Sequence, residues 1–346
     1  MAGWGRCRVT RPTSAPTAEA HATAEDQTTR MSSPLRRLAR PVARRMRLEP
    51  FLDAGLRAAR LVTEERRHRR WQAMLGAWLR DGIELPTADG WAGRHDDGSV
   101  PLVMCLWNRP DRLPAVLAML GRLDPATPVR LLLWNNNPDD AARYRAVVDA
   151  APRGRGLASV DLYDSPVNIG GLARFVAIRL LHNGGHRGPV VMLDDDQDVT
   201  ASFVRDLLDD YAPRSVVAWW AFSQHGSYWA RAEIAPGDPA DHAGTGGTVL
   251  DPALVADDRF FARLPRRFAF LEDQWMSFVA HRLGWRVVKA DTHVDLVSEE
   301  LNQYHRLKPL KDVFHAEQLR RGGGLLGPPL RRRAWDRGRV RSASRR

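Results

Sequence analysis

The chain has 346 residues, 44% of them hydrophobic, which is enough for a substantial core in one large or two small domains. Its formal net charge of +11 is unevenly spread: thirteen arginines face four acidic residues between Arg36 and Arg80, ten face one aspartate between Arg320 and Arg346, and residues 81–319 are left net acidic. An acidic body argues against nucleic acid as a partner, because a nucleic-acid enzyme lines its central cleft with basic residues, and two cysteines, Cys7 and Cys105, can build neither a disulfide framework nor a zinc site.

In chain order, residues 1–33 are rich in Ala, Thr, Ser and Pro without periodicity and are expected to be disordered, with Met31 as an alternative start. Residues 34–98 read as a basic helical extension. Leu48, Phe51, Leu52, Leu56, Ala59 and Val62 recur at helical spacing, as do Trp71, Met74, Leu75, Trp78 and Leu79. This predicts two amphipathic helices whose apolar faces either pack on the parent domain or lie in a membrane interface. No apolar run reaches the roughly 18 residues of a membrane span and no signal-peptide core is present. The expected setting is therefore the reducing cytoplasm, with any membrane contact peripheral, at the inner face of the plasma membrane. The arginine-rich ends suit an anionic membrane surface, where each basic residue contributes about 1 kcal/mol.

Four short apolar runs then alternate with helical periods. VPLVMCLW (100–107), VRLLLW (129–134), LASVDLY (157–163) and PVVML (189–193) read as strands. PDRLPAVLAMLGRL, DDAARYRAVVDAA, GGLARFVAIRLLHN and ASFVRDLLDDY, which follow them in turn, read as helices. Four successive βα units predict an α/β, Rossmann-like fold with a mostly parallel sheet and helices on both faces. Such sheets bind ligands at the carboxyl ends of their strands. There this sequence places Asn108 and Arg109, then Asn135, Asn136 and Asn137, then Asn168 with Gly170 and Gly171, then Asp194, Asp195 and Asp196.

Three adjacent aspartates behind a buried strand repel one another and lose solvation, an arrangement that a cation or a phosphate-bound metal would make tolerable. The alternative is a solvated loop in which Asp198, Thr200 or Ser202 caps the next helix. Amides and carboxylates concentrated on one rim favour a nucleotide-type site.

The order LWNRPDRL, LLLWNNNPDD, SPVNIGG, VVMLDDD, AGTGGTVLDPALV and FAFLEDQWMSFVAHRLGW resembles a family 2 glycosyltransferase of the GT-A fold, over roughly residues 100–292. The WNNN and DDD pair is also similar to exostosin-type glycosyltransferases, which retain anomeric configuration, so the stereochemical outcome stays open. The resemblance implies a GT-A domain at 99–319, followed by a basic tail at 320–346. It implies a metal-dependent enzyme that moves a sugar from a nucleotide-diphosphate sugar to an acceptor hydroxyl, on a cell-envelope glycan or glycolipid. Mn²⁺ or Mg²⁺ would be held by Asp194 and Asp196 and would stabilise charge on the departing diphosphate, with Asp195 or Asp194 reaching the ribose or sugar.

By the same resemblance Asn108, Arg109 and Asn135, with Asn136 beside it, contact the nucleoside. The family usually carries an aspartate where Asn135 stands, which leaves the base open. The turn at Asn168, Gly170 and Gly171 lets backbone approach the nucleotide, with Arg174 one helical turn beyond. Gly246 and Gly247 form a loop near the donor. Asp273, or else Glu272, is the expected base for the acceptor hydroxyl, although acidic residues also simply favour a helix dipole at the first turn. His305 is the expected further metal ligand, with His293 as its alternative.

Three further features stay open. Trp219, Trp220, Tyr228 and Trp229 form a set for stacking on sugar or for core packing. SEELNQYHRLKPLKDVFHAEQLRR predicts a C-terminal helix broken near Pro309. DQDVT (196–200) is similar to the nucleophile motif of haloacid-dehalogenase phosphatases, but Asp194, not Asp196, ends the strand, and the first lysine, Lys289, follows the acidic pair rather than preceding it. A non-catalytic GT-A-like module at a membrane surface is the remaining alternative.

Overall fold

The two amphipathic stretches, from Phe51 to Leu79, belong to one helix, α1 (Glu49–Asp81), and Leu48 lies outside the described residues. Nothing between them stops it: residues 63–70, TEERRHRR, contain neither glycine nor proline and are mostly strong helix formers. The helix ends where Gly82 adopts φ +77° and its amide donates to the Trp78 carbonyl at 2.8 Å, a glycine stop. The computed structural model describes residues 49–86, 90–93, 98–152, 154–297, 307–320 and 339–342. The expected disordered N-terminus, most of the basic tail and His305 lie outside them. The chain divides into two compact units, residues 1–66 and 67–346. The described part of the first is helical and exposes Leu61 and Val62. Among the described residues no helix is long and apolar enough to cross a membrane.

In the second unit, α1 from Arg67 onward buries Leu75, Trp78 and Leu79. Trp78 meets Trp134 edge-on at 5.7 Å and its indole N–H donates to the Tyr163 hydroxyl at 2.9 Å. A short strand, β1 (Ile83–Leu85), follows and later pairs in parallel with β14 (Val340–Ser342). Then come β2 (Val100–Leu106), α2 (Leu113–Leu120), β3 (Val129–Asn135), α3 (Ala141–Ala150), β4 (Leu157–Asp164), α4 (Leu172–Asn183) and β5 (Val190–Asp194), in the order the apolar runs predict. After a short β6 (Gln197–Val199) and α5 (Phe203–Asp210) the chain forms β7 (Ser215–Ala218), β8 (Ala221–Gln224), β9 (Arg231–Glu233), β10 (His242–Ala243) and β11 (Thr248–Leu250). It continues through α6 (Arg259–Ala262), α7 (Glu272–Arg282), β12 (Arg286–Lys289), β13 (Val294–Leu296) and α8 (Lys308–Arg320). Pro309 is the second residue of α8, a first-turn position where its missing N–H is not needed, and the stretch before Leu307 that the predicted broken helix would include lies outside the described residues.

The central sheet has seven strands in the order β12-β7-β11-β5-β2-β3-β4. Its neighbours pair in parallel except around β11, which runs antiparallel to both β5 and β7. Strand residues alternate between two cores. Val103, Leu132, Trp134, Met192, Val216 and Leu250 face a core built with α1, α4, α6, α7 and α8. Leu102, Met104, Leu131, Leu133, Val191 and Val249 face another, built with α2, α3 and α5. Both faces of the sheet are therefore covered, as buried parallel strands require.

Leu75 is fully buried on α1 within the first of these cores. Leu75→Ala in the full chain should lower stability by about 2–5 kcal/mol in urea unfolding, the usual cost of such a cavity. A loss below about 1 kcal/mol would show that α1 is not part of the core.

Candidate functional site

The sheet reverses its winding at β2. The chain steps outward from β2 to β3 to β4, and then α4 carries it back to β5 on the other side of β2. A crevice outside the carboxyl ends of β2 and β5 follows from that reversal, the place where open α/β sheets bind ligands. The register pairs Cys105 with Asp194, so Asn108 and Arg109 leave β2 beside the three aspartates that leave β5. The antiparallel β11 brings its opposite end, Gly246 and Gly247, to the same rim, and the Gly247 amide donates to the Met192 carbonyl at 3.0 Å with φ +73°.

Two arginines meet the aspartates. The Arg109 guanidinium donates to Asp195 at 2.6 Å and lies 3.2 Å from Asp196. Arg174, buried in the first turn of α4, pairs with Asp194, donates to the Thr245 hydroxyl at 2.5 Å and lies 3.6 Å from Glu272. Four carboxylates thus share two guanidinium charges. The deficit shows in their titration: burial, reinforced by Asp194, raises Asp196 to about 7, and burial, reinforced by Asp273, raises Glu272 to about 7. Asp195 is raised by burial against the opposing pull of Arg109. Burial pushes the nearby Cys105 thiol up to about 12, which leaves it unreactive.

The capping alternative does not hold. Ser202 stands at the N-cap of α5 without capping it, and Asp198 pairs instead with Arg112.

The asparagines behind the rim are spent on holding loops. Asn135 is fully buried, donates to Asp164 at 2.9 Å and accepts from the Asn137 amide at 2.8 Å. Asn136, also buried, accepts from the Ile169 amide at 3.1 Å and donates to the Gly170 carbonyl at 3.2 Å, while Asn168 accepts from the Gly170 amide at 2.7 Å. These bonds tie the second strand tip to the third. Asn108, by contrast, is exposed at the rim. Two glycines leave room for carboxylates: a Cβ at Gly171 would lie 1.7 Å from the Glu272 carboxylate, and one at Gly246 would lie 2.3 Å from Asp194 Oδ2, so either would displace the acid beside it.

Glu272 and Asp273 open α7, as the sequence suggests, but their environments differ. Burial alone would raise Asp273, yet Lys311, with its Nζ 3.6 Å away, and His242, with its Nε2 3.5 Å away, outweigh it and hold this carboxyl well below the ordinary range. Lys311 also donates to the Tyr228 hydroxyl at 2.9 Å, tying α8 to the site. Neither His242 nor Lys311 carries a motif, and only their packing reveals them.

The crevice suits a hard divalent cation. Its donors are carboxylate oxygens, its charge is under-compensated, and Gly246 keeps side-chain bulk away from Asp194. Among the described residues no three His, Cys, Asp or Glu side chains group around one point. A protein that holds Mg²⁺ by one or two carboxylates and completes the shell with substrate phosphates needs no such group.

His293 is exposed and pairs with Asp295 at 2.9 Å. Of the aromatic set, Tyr228 is buried, whereas Trp220 is 40% exposed at the bend after β7. Lys289, the lysine a phosphatase would need, donates to the Trp219 carbonyl at 3.4 Å.

No family model and no curated protein matches the chain. Among solved structures it is similar to S. aureus TarS in complex with UDP-GlcNAc (14% identity, TM-score 0.35, covering 55% of this chain and 55% of that one). It is also similar to the WbbM bifunctional glycosyltransferase in its apo form (17%, TM-score 0.37, 57% and 40%) and to the inositol-1-phosphate CTP transferase from T. maritima (11%, TM-score 0.32, 62% and 96%). The chain thus spans about half the length of the first two.

An acid whose pKa rises on folding keeps its proton in the native state after the unfolded chain has lost it, so its stabilisation is present at low pH and lost as pH rises to about 7. This contribution is lost between about pH 4 and pH 7, while partly buried histidines such as His182, lowered to about 4 chiefly by burial, add stability over the same range. The melting temperature of Glu272→Gln should therefore shift upward relative to that of wild type as pH rises through this window. Parallel slopes would contradict the assigned environment. Asp273→Asn should cost about 3–5 kcal/mol, because it leaves the buried Lys311 ammonium without its carboxylate.

Proposed function

We propose that the chain is a metal-dependent glycosyltransferase that moves a sugar from a nucleotide-diphosphate sugar to an acceptor hydroxyl. The observation that supports this most is the crevice between β2 and β5, where four carboxylates face two guanidiniums at the point of sheet reversal. On its own that charge would repel a diphosphate. A divalent cation held by Asp194 and Asp196 would bind the diphosphate and stabilise it as a leaving group.

The chain's own groups do the rest. Arg109 fixes the orientation of Asp195 and Asp196, and Arg174 fixes Asp194 while anchoring Glu272. Asn108 meets the nucleoside at the open rim, and the glycines at 170, 171, 246 and 247 keep the walls thin enough for it to enter. Asp273, kept ionised by Lys311 and His242, or else Glu272, whose carboxyl is raised to about 7 and so is better matched to proton transfer near neutral pH, accepts the proton of the acceptor hydroxyl as that oxygen attacks the anomeric carbon and the bond to the diphosphate breaks. The acceptor is a cell-envelope glycan or glycolipid. The arginine-rich ends hold the enzyme at an anionic membrane surface.

A thermal-shift panel of nucleoside diphosphates, with and without Mn²⁺, tests the donor site. One nucleotide should raise the melting temperature only when Mn²⁺ is present, and Asp196→Ala should abolish the shift. Equal shifts in mutant and wild type would reject the reading. Membrane attachment is checked separately by flotation with anionic vesicles: the chain lacking residues 320–346 should float less than the full chain, and unchanged flotation would exclude a role for the tail.

A further inference from the structure

A cavity of about 340 Å³, separate from the crevice, is lined in part by His242, the partner of Asp273. Its floor is a face of α7 carrying Gln274, Ser277, Phe278 and His281, spaced at helical intervals, and α8 closes it with His315 and Gln318. A helix face turned toward a neighbouring helix is ordinarily apolar. This one carries an amide, a hydroxyl and an imidazole.

The amide at its centre is also unsatisfied. Gln274 is 3% exposed, and neither Oε1 nor Nε2 of its side chain has a hydrogen-bond partner. Gln224 Nε2, on the opposite wall, is likewise buried and unpaired. A buried amide left without partners carries the desolvation cost of both its polar atoms, and leucine would fill the same volume without that cost. An unsatisfied polar group at a cavity calls for a ligand or an ordered water.

The chemistry of the lining narrows the ligand. One acidic and one basic residue, Asp241 and Arg282, balance each other, and the remaining polar groups are amides, imidazoles and a hydroxyl. No guanidinium pair is present to receive a phosphate or carboxylate. The histidines do not converge with a third acidic or thiol group in any metal-holding arrangement among the described residues. Amides that both donate and accept suit vicinal hydroxyls, and Phe278, stacked on Trp275 at 5.8 Å through one face, adds apolar surface to the lining for the CH side of a sugar ring.

We propose that this cavity binds a neutral saccharide of one or two rings. Resting on the transferase reading above, that saccharide is the acceptor's glycan, with its reactive hydroxyl passing His242 to reach Asp273.

The test uses the full chain and ligand-observed saturation-transfer NMR with cellobiose, lactose, mannobiose and chitobiose, and with glucose 1-phosphate as the charged control. At least one neutral disaccharide should bind, and glucose 1-phosphate should not. Gln274→Leu should weaken that binding by about tenfold or more, raise the melting temperature, and leave the Mn²⁺-dependent nucleotide shift unchanged. His281→Ala, on the exposed rim, should weaken it by a smaller factor and serves if the leucine variant does not fold. Nucleotide binding without any neutral saccharide binding, or full saccharide affinity in both variants, would overturn the cavity's role and leave the donor site standing. Loss of the nucleotide shift in wild type would bring down the transferase reading, whatever the saccharides do.

Discussion

Everything about this site follows from a shortage of positive charge. Parallel strands deliver Asp194, Asp195 and Asp196 to a buried rim, α7 adds Glu272, and only Arg109 and Arg174 answer them. In a low-dielectric setting that imbalance is costly, and Asp196 and Glu272 register it as carboxyl groups raised to about 7. Four acids and two guanidiniums at the point where the sheet reverses leave the crevice short of positive charge, and the divalent cation proposed above would supply it.

The architecture was largely legible in the chain itself. Alternating apolar runs and helical periods located β2 to β5 and their helices, because parallel strands buried on both faces must be continuously apolar. The rim was legible for the same reason: polar residues directly after such runs have one place to go. What could not be read was how those residues are used. Asn135 and Asn136 look like ligand contacts in sequence, yet their amides bind backbone and Asp164, since a loop entering the sheet needs its own hydrogen bonds met first. The partners of Asp273 were equally hidden. His242 lies in a two-residue strand and Lys311 in a distant helix, and only tertiary packing brings them together. The single helix α1 was missed for the opposite reason: its charged middle interrupts the apolar period without interrupting helix propensity.

The first turn of α7 is a divide. On one side Glu272 belongs to the arginine-linked crevice, and on the other Asp273 belongs to the His242 and Lys311 network that borders the second cavity. Adjacent carboxylates with pKa values driven in opposite directions let one stay ionised while the other can hold a proton near neutral pH. A donor on the crevice side and a saccharide on the cavity side would then meet at this one helix end. The same geometry explains why α8 is docked by Lys311 and Tyr228: it closes the cavity and sets the charge on Asp273 in one contact.

The most direct measurement is anomalous diffraction at the manganese edge from crystals of the full chain grown with Mn²⁺ and the nucleoside diphosphate that stabilises it. The account predicts one strong peak in the crevice after β5, with carboxylate oxygens of Asp194 or Asp196 and phosphate oxygens around it at about 2.2 Å. A nucleotide bound elsewhere, or a peak-free crevice in which Arg109 and Arg174 remain the only partners of the aspartates, would contradict it.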